Sequence, residues 1–167
     1  MKVIDIKQLE AIVFDFDGVL TDDRVFVDQD GGEMVCCTRS DGIAFDILRK
    51  TKLTLFILTT EKNPVVARRA EKLRVPAVCG VANKLDGIIA LARENRFALE
   101  RTLYVGNDVN DYHAMKACGF SACPSDSHPQ IQALANFVLK KAGGQGVVRE
   151  IVESVLGLDA LKEWHNR

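Results

Sequence analysis

Two aspartates, Asp15 and Asp17, stand two residues apart where the apolar run that begins Ala11-Ile12-Val13-Phe14 ends, with Gly18 directly behind them. Side chains at i and i+2 of a strand share a face, so the two carboxylates converge at the strand's end. Like charges that close repel, and one is driven toward its protonated form unless a cation lies between them. A hard divalent ion with oxygen ligands, Mg²⁺ above all, answers that need. One carboxylate can then attack an electrophile while its neighbour moves a proton. The spacing alone does not decide the matter, because phosphoacceptor signalling domains, glycosyltransferases and plain turns carry the same pair.

The elements that must hold this pair alternate between strand and helix. That pattern predicts a three-layer α/β/α, Rossmann-like parallel sheet with helices on both faces. Ala11 to Phe16 reads as the first strand and Leu53 to Leu58 as the second. Ala77 to Cys79, Thr102 to Val105, Phe120 to Ala122 and Phe137 to Leu139 read as further strands. Arg24 to Val27 and Glu33 to Thr38 flank Asp28-Gln29-Asp30-Gly31-Gly32 and read as a β-hairpin. Helices are expected over Asp41 to Lys50, from Asn63 as N-cap with Pro64 at N1, and from Asn83 to about Phe97. Shorter ones should run to Cys118 and over His128 to Ala135, with an amphipathic helix from Val147 to Leu156 after the glycine-rich loop Ala142 to Gly146.

In open α/β sheets the reactive groups gather at the carboxyl ends of the strands, near the point where strand order reverses. The residues at those ends are Asp15 and Asp17, then Thr59 and Thr60, then Lys84 in the opening turn of its helix, then Asn107, Asp108 and Asp111. Acids for a metal with a hydroxyl and an ammonium for an anion make a set suited to phosphoryl transfer. Each member also has a plainer reading. The threonines fit any strand, Lys84 fits a solvated helix face, and Asp108 and Asp111 fit a helix cap. What the plainer readings leave unexplained is the joint occurrence, in order, each at a strand end.

Composition sets the frame. The 167 residues suffice for one domain with a real core, and residues 1–167 are read as that single domain. A net charge of −1 without a basic block argues against nucleic acid as a partner. No apolar run reaches membrane-spanning length, and Met1 to Glu10 is too polar for a signal peptide, so a cytoplasmic protein is expected. The five cysteines contain no CxxC pair and are expected to be reduced and mostly buried.

Asp15-Phe16-Asp17-Gly18-Val19-Leu20-Thr21-Asp22, Thr59, Lys84 and Gly106-Asn107-Asp108-Val109-Asn110-Asp111 together resemble the four motifs of the haloacid dehalogenase-like phosphatases. The hairpin in place of a cap domain, Arg39-Ser40-Asp41-Gly42 and the late Gly143-Gly144-Gln145-Gly146-Val147-Val148-Arg149-Glu150 are similar to the capless, tetrameric 3-deoxy-D-manno-octulosonate 8-phosphate phosphatase branch. The resemblance covers roughly residues 10 to 156. It implies that Asp15 is the nucleophile and forms an aspartyl-phosphate. Asp17 would protonate the leaving alkoxide, then activate water, and its backbone carbonyl would bind Mg²⁺. Thr59 and Lys84 would hold the phosphate, with Gly18, Thr21, Thr60, Glu61 and Arg39 around phosphate and substrate.

Two departures stand out. Relatives often have aspartate where this chain has Asn107; a neutral amide can ligate Mg²⁺, or Asp108 can take the place. Where the octulosonate enzymes tend to have Thr-Gly-Arg, this chain has Thr59-Thr60-Glu61-Lys62-Asn63-Pro64. With Arg69-Ala70-Glu71-Lys72-Leu73, this is similar to the branch acting on nine-carbon keto acids. Replacing a fixed cation by Glu61 changes which substrate groups are welcome, so a nine-carbon 9-phosphate is favoured over octulosonate 8-phosphate. One hairpin cannot cover a sugar acid, so a neighbouring subunit should supply the lid, as the implied homotetramer would. Arg149 then becomes a candidate for substrate contact, against an alternative pairing with Glu153 on its own helix. The competing function is a catalytically weak phosphatase-like module that serves in oligomerisation.

Overall fold

A computed structural model describes residues 3–165. Its centre is β1 (Ala11–Phe14), a strand buried on both faces. It pairs in parallel with β4 (Thr54–Leu58) on one side and β6 (Thr102–Val105) on the other. The edges are completed by β5 (Ala77–Val78) beyond β4, and by β7 (Phe120–Cys123) and β8 (Phe137–Val138) beyond β6. The order β5-β4-β1-β6-β7-β8 makes β1 the place where the chain stops building one half of the sheet and starts the other. A crevice at the carboxyl ends of such strands is where open α/β sheets place their sites.

Alternation along β1 splits the core in two. Ile12 and Phe14 face a layer that includes Phe45 and Leu48 of α1 (Arg39–Leu48), Val66 of α2 (Pro64–Leu73), and Val148 and Ile151 near the C-terminus. Ala11 and Val13 face the opposite layer, with Ile88 and Leu91 of α3 (Lys84–Asn95), Met115 of α4 (Tyr112–Ala117) and Ile131 of α5 (Pro129–Leu134). The strands are therefore apolar on both faces, as a covered parallel sheet requires. The caps act where the sequence placed them: Asn63 accepts the Val65 N–H at 3.0 Å with Pro64 behind it, and Asn83 accepts the Leu85 N–H at 3.0 Å.

The hairpin stands apart from this sheet. β2 (Thr21–Val27) and β3 (Glu33–Cys37) pair only with each other, antiparallel, with Phe26 opposite Met34 and Val25 opposite Val35. The second strand of the chain thus begins at Thr21, earlier than Arg24, and β1 ends at Phe14 so that Asp15 and Phe16 belong to the turn.

Two expectations need correction. Only Cys123 is buried; Cys36 and Cys79 are exposed and Cys37 and Cys118 half-buried. Cys36 lies on the hairpin, on the opposite side from Val35 and Cys37, which pack against the core, and Cys79 lies just past the two-residue edge strand. The expected helix from Val147 to Leu156 is an α-turn, α6 (Val147–Glu150), followed by a π-turn over Ile151–Val155. Ile151, Val152, Val155 and Leu156 all enter the core, their i, i+1, i+4, i+5 spacing keeping them on one face. The last helix, α7 (Ala160–His165), docks on α1, where the Lys50 ammonium donates to the Glu163 and Trp164 carbonyls at 2.5 and 3.3 Å. Asn166 and Arg167, the end of the tail whose order the sequence left open, lie outside the described residues.

Candidate active site

The turn after β1 creates the site. The Asp15 N–H continues the ladder to the Val105 carbonyl at 2.8 Å, and the Leu20 and Thr21 N–H groups then fold back onto the Phe16 carbonyl at 2.8 and 3.1 Å. Gly18 takes φ of 71°, a left-handed conformation that lets the chain reverse directly behind Asp17. Thr21 ties the turn together. Its hydroxyl accepts the Gly18 N–H at 3.2 Å and donates to Asp17 Oδ1 at 3.3 Å.

Lys84 is not a solvated helix residue. Only 2% of its surface is exposed, and its Nζ lies 2.7 Å from Asp15 Oδ2 and 2.7 Å from Asp111 Oδ1. Burial works against the ammonium, yet the two carboxylates outweigh it and hold its pKa above the ordinary lysine value. Asp111 also accepts the Tyr104 hydroxyl at 3.0 Å and the Asn107 and Asp108 N–H groups at 2.9 and 3.3 Å. One fully buried carboxylate thus fixes the loop after β6, the opening of α3 and, through Lys84, Asp15. Tyr104, inside the core, supplies a hydroxyl that no strand-end pattern pointed to. Its only sequence signal is a phenol in a short strand otherwise made of Thr102, Leu103 and Val105.

Desolvation pushes the Asp15 carboxyl well above the usual carboxylate range, and Asp111 adds to the push against the Lys84 ammonium. Asp17 is also raised, by burial first and by Glu61 among its neighbours, while the Thr21 hydroxyl pulls the other way. Asp15 is therefore a carboxylate short of positive charge. No three His, Cys, Asp or Glu side chains among the described residues are grouped to hold a metal, so a cation site here needs other oxygens. Asn107 offers one. A Cβ built on Gly18 would fall 1.8 Å from Asn107 Nδ2, so the carboxamide lies directly over the Asp17-Gly18 turn in space that only glycine leaves free. Asp108 is exposed and accepts its neighbour's Val109 N–H at 2.7 Å. Asp15, the Asp17 carbonyl and the Asn107 amide could supply oxygen donors of the kind Mg²⁺, a hard ion, takes.

The other candidates divide by position. Thr59 is buried at the end of β4, its Oγ1 accepting the Glu61 N–H at 3.0 Å; Thr60 is exposed. Glu61 accepts the Asn63 N–H at 2.7 Å, and Asn63 Nδ2 reaches Glu33 of the hairpin at 2.8 Å, joining the α2 N-terminus to β3. A cavity of about 310 Å³ beside Asp17 is lined by Asp23, Arg24, Val25, Glu33, Val35 and Glu61 among others, so the hairpin forms one wall of the cleft. Arg39 is exposed and shares a separate, strongly cationic groove with Arg68, Arg69 and Lys72. Arg149 lines another groove and pairs with Glu153 at 2.9 Å, so neither arginine lines the Asp17 cavity.

Residues 78–151, which carry Lys84 and the Asn107–Asp111 loop, match the profile of the haloacid dehalogenase-like hydrolases. The 3-deoxy-D-manno-octulosonate 8-phosphate phosphatase of Escherichia coli K12 is 29% identical over 151 residues, 90% of this chain and 80% of that protein. A Streptomyces avermitilis chain described as a HAD family hydrolase superposes with a TM-score of 0.89 at 42% identity, over 93% of this chain and 89% of that one. The Moraxella catarrhalis 3-deoxy-D-manno-octulosonate 8-phosphate phosphatase, solved with magnesium ion, phosphate ion and KDO, superposes with a TM-score of 0.85 at 27% identity, over 95% and 88% of the two chains.

Proposed function

The chain belongs to the haloacid dehalogenase-like hydrolases, and from that premise we propose a Mg²⁺-dependent phosphatase of phosphorylated 2-keto-3-deoxy sugar acids. The observation that carries this reading is the buried Asp15–Lys84–Asp111 chain set beside Asp17 at the sheet's switch point. In this reading an Asp15 oxygen attacks phosphorus, and the bond from phosphorus to the sugar oxygen breaks as an aspartyl-phosphate forms. Asp17, whose raised pKa keeps its acid form accessible, gives its proton to the departing alkoxide. It then takes a proton from the water that attacks the aspartyl-phosphate, releasing inorganic phosphate and restoring Asp15. Lys84 and Thr59 hold phosphate oxygens, the ammonium offsetting the charge that spreads over them. Mg²⁺, held by Asp15, the Asp17 carbonyl and Asn107, would supply positive charge against the nucleophile and the phosphoryl oxygens.

Glu61 supports a nine-carbon 9-phosphate over octulosonate 8-phosphate. It stands in the cleft wall beside Asp17, where its carboxylate would accept hydrogen bonds from hydroxyls of a longer sugar chain. The open cleft supports a homotetramer whose neighbouring subunit covers the substrate and brings cationic side chains, Arg39 and Arg149 among them, to it. Asn107, a neutral donor in place of a charged one, supports the second reading, a weakly catalytic oligomerisation module. The test is phosphate release from eight- and nine-carbon phosphorylated keto acids, with Mg²⁺ and with chelator. Mg²⁺-dependent preference for the nine-carbon 9-phosphate is expected. Preference for octulosonate 8-phosphate removes the substrate assignment alone, and silence across the panel from folded protein favours the second reading.

A further inference from the structure

The loop Ala142-Gly143-Gly144-Gln145-Gly146 reads as flexible, yet the structure fixes it at both ends. The buried Glu150 carboxylate accepts the Lys140 N–H at 2.9 Å and the Lys141 N–H at 2.8 Å. On the far side Asp41 of α1 accepts the Arg149 N–H at 3.1 Å. Between these anchors the Gly143 N–H donates to Asp126 at 3.0 Å and the Gly144 N–H to the Val19 carbonyl at 3.0 Å. The segment therefore lies across the turn that carries Asp17.

It lies closer than any side chain allows. A Cβ on Gly143 would stand 2.3 Å from the Gly18 carbonyl oxygen and 2.9 Å from that of Thr21. At Gly144, where φ is +68°, it would stand 2.6 Å from the Asp22 nitrogen. These neighbours are backbone, so a methyl group can be accommodated only by moving the turn or lifting the strap off it. The displaced residues are the ones that hold the Asp17 carboxylate, through the Gly18 N–H, the Thr21 hydroxyl and Asp17 Oδ1. Gly146 differs: its φ of +101° makes a side chain strained, but a Cβ there meets the Ser40 hydroxyl at 3.2 Å and the Arg149 Cβ at 4.0 Å, and no atom of the Asp17 turn.

We propose that Gly143 and Gly144 are positioning residues, the middle of a strap that clamps the Asp17 turn in its working geometry. The catalytic consequence rests on the phosphatase reading; the clamp does not. The test compares Gly143→Ala and Gly146→Ala in the full chain, using Mg²⁺-dependent hydrolysis of p-nitrophenyl phosphate and amide hydrogen exchange. Displacing by a fraction of an ångström the base that activates water against the aspartyl-phosphate should lower kcat by about tenfold or more with KM nearly unchanged in Gly143→Ala. Gly146→Ala should keep kcat within about twofold while losing some thermal stability. The Leu20 and Thr21 amides should exchange about tenfold faster in Gly143→Ala and at the wild-type rate in Gly146→Ala. If Gly143→Ala does not fold, Asp126→Ala, which removes only an exposed acceptor, should produce a smaller change of the same kind. Unchanged exchange at Leu20 and Thr21 overturns the clamp. Faster exchange with unchanged kcat overturns the positioning role, and an inactive wild type overturns the phosphatase reading while exchange still decides the clamp.

Discussion

Asp15 and Lys84 depend on each other. The carboxylate is buried beside a second acid, and the ammonium between them is what makes both tolerable. Asp15→Asn removes the nucleophile but leaves Lys84 paired with Asp111, so phosphate release should vanish while the melting temperature holds. Substantial turnover in that variant would sink the mechanism. Lys84→Met has the opposite balance. It leaves two carboxylates in a dry site, and breaking such a pair costs about 3–5 kcal/mol. Urea unfolding at pH 7 should show a loss of about that size alongside lost activity. A variant as stable as the wild type would mean that the cluster is wetter than the structure shows.

Asp41 acts between elements, joining the first turn of α1 to the N-terminus of α6. Its Oδ1 accepts the Arg149 N–H, and its Oδ2 is buried with no hydrogen-bond partner. Desolvation raises its pKa from 3.8 to about 6, although the Arg149 and Val148 amides and the charges of Arg69 and Arg149 oppose the rise. The folded state therefore binds a proton that the unfolded chain has released. The stability this gives is fully present below about pH 4 and is lost as pH rises through about 6, a swing of about 3 kcal/mol. Asp41→Asn keeps an acceptor oxygen and cannot ionise. Unfolding free energies of wild type and variant should thus diverge from pH 4 to 7, the variant becoming relatively more stable. Parallel pH curves would contradict the buried, unpaired oxygen.

Assembly belongs to the whole molecule, and the hairpin is where it would occur. Val35 packs toward the core and lines the cleft, whereas the opposed pair Phe26 and Met34 leaves 58% and 63% of its surface in water. A two-stranded sheet with an apolar outer face is poorly stable alone. If the proposed tetramer forms through this face, light scattering on purified protein should give four times the chain mass, and Phe26→Lys with Met34→Lys should release smaller species with reduced turnover. A monomeric wild type with full activity would remove the need for a shared lid.

The alternation of strand and helix, the caps at Asn63 and Asn83, and the strand-end positions of Asp15, Asp17, Thr59, Lys84 and Asn107 were legible in the chain. Each depends on local pattern: apolar period, a capping side chain, a glycine after a strand. Partnership was not legible. Lys84 reads alone as a solvated residue, and Asp111 reads as a cap. Folding made them one buried ion chain, because β1, β6 and α3 bring to one point groups separated by up to 96 residues along the chain. Likewise Gly143 and Gly144 read as slack, and only their approach to the Gly18 carbonyl reveals a contact too close for any other residue. Sequence fixes what each residue can do within a few neighbours; desolvation and distance, which decide what it does here, arise only when remote segments meet.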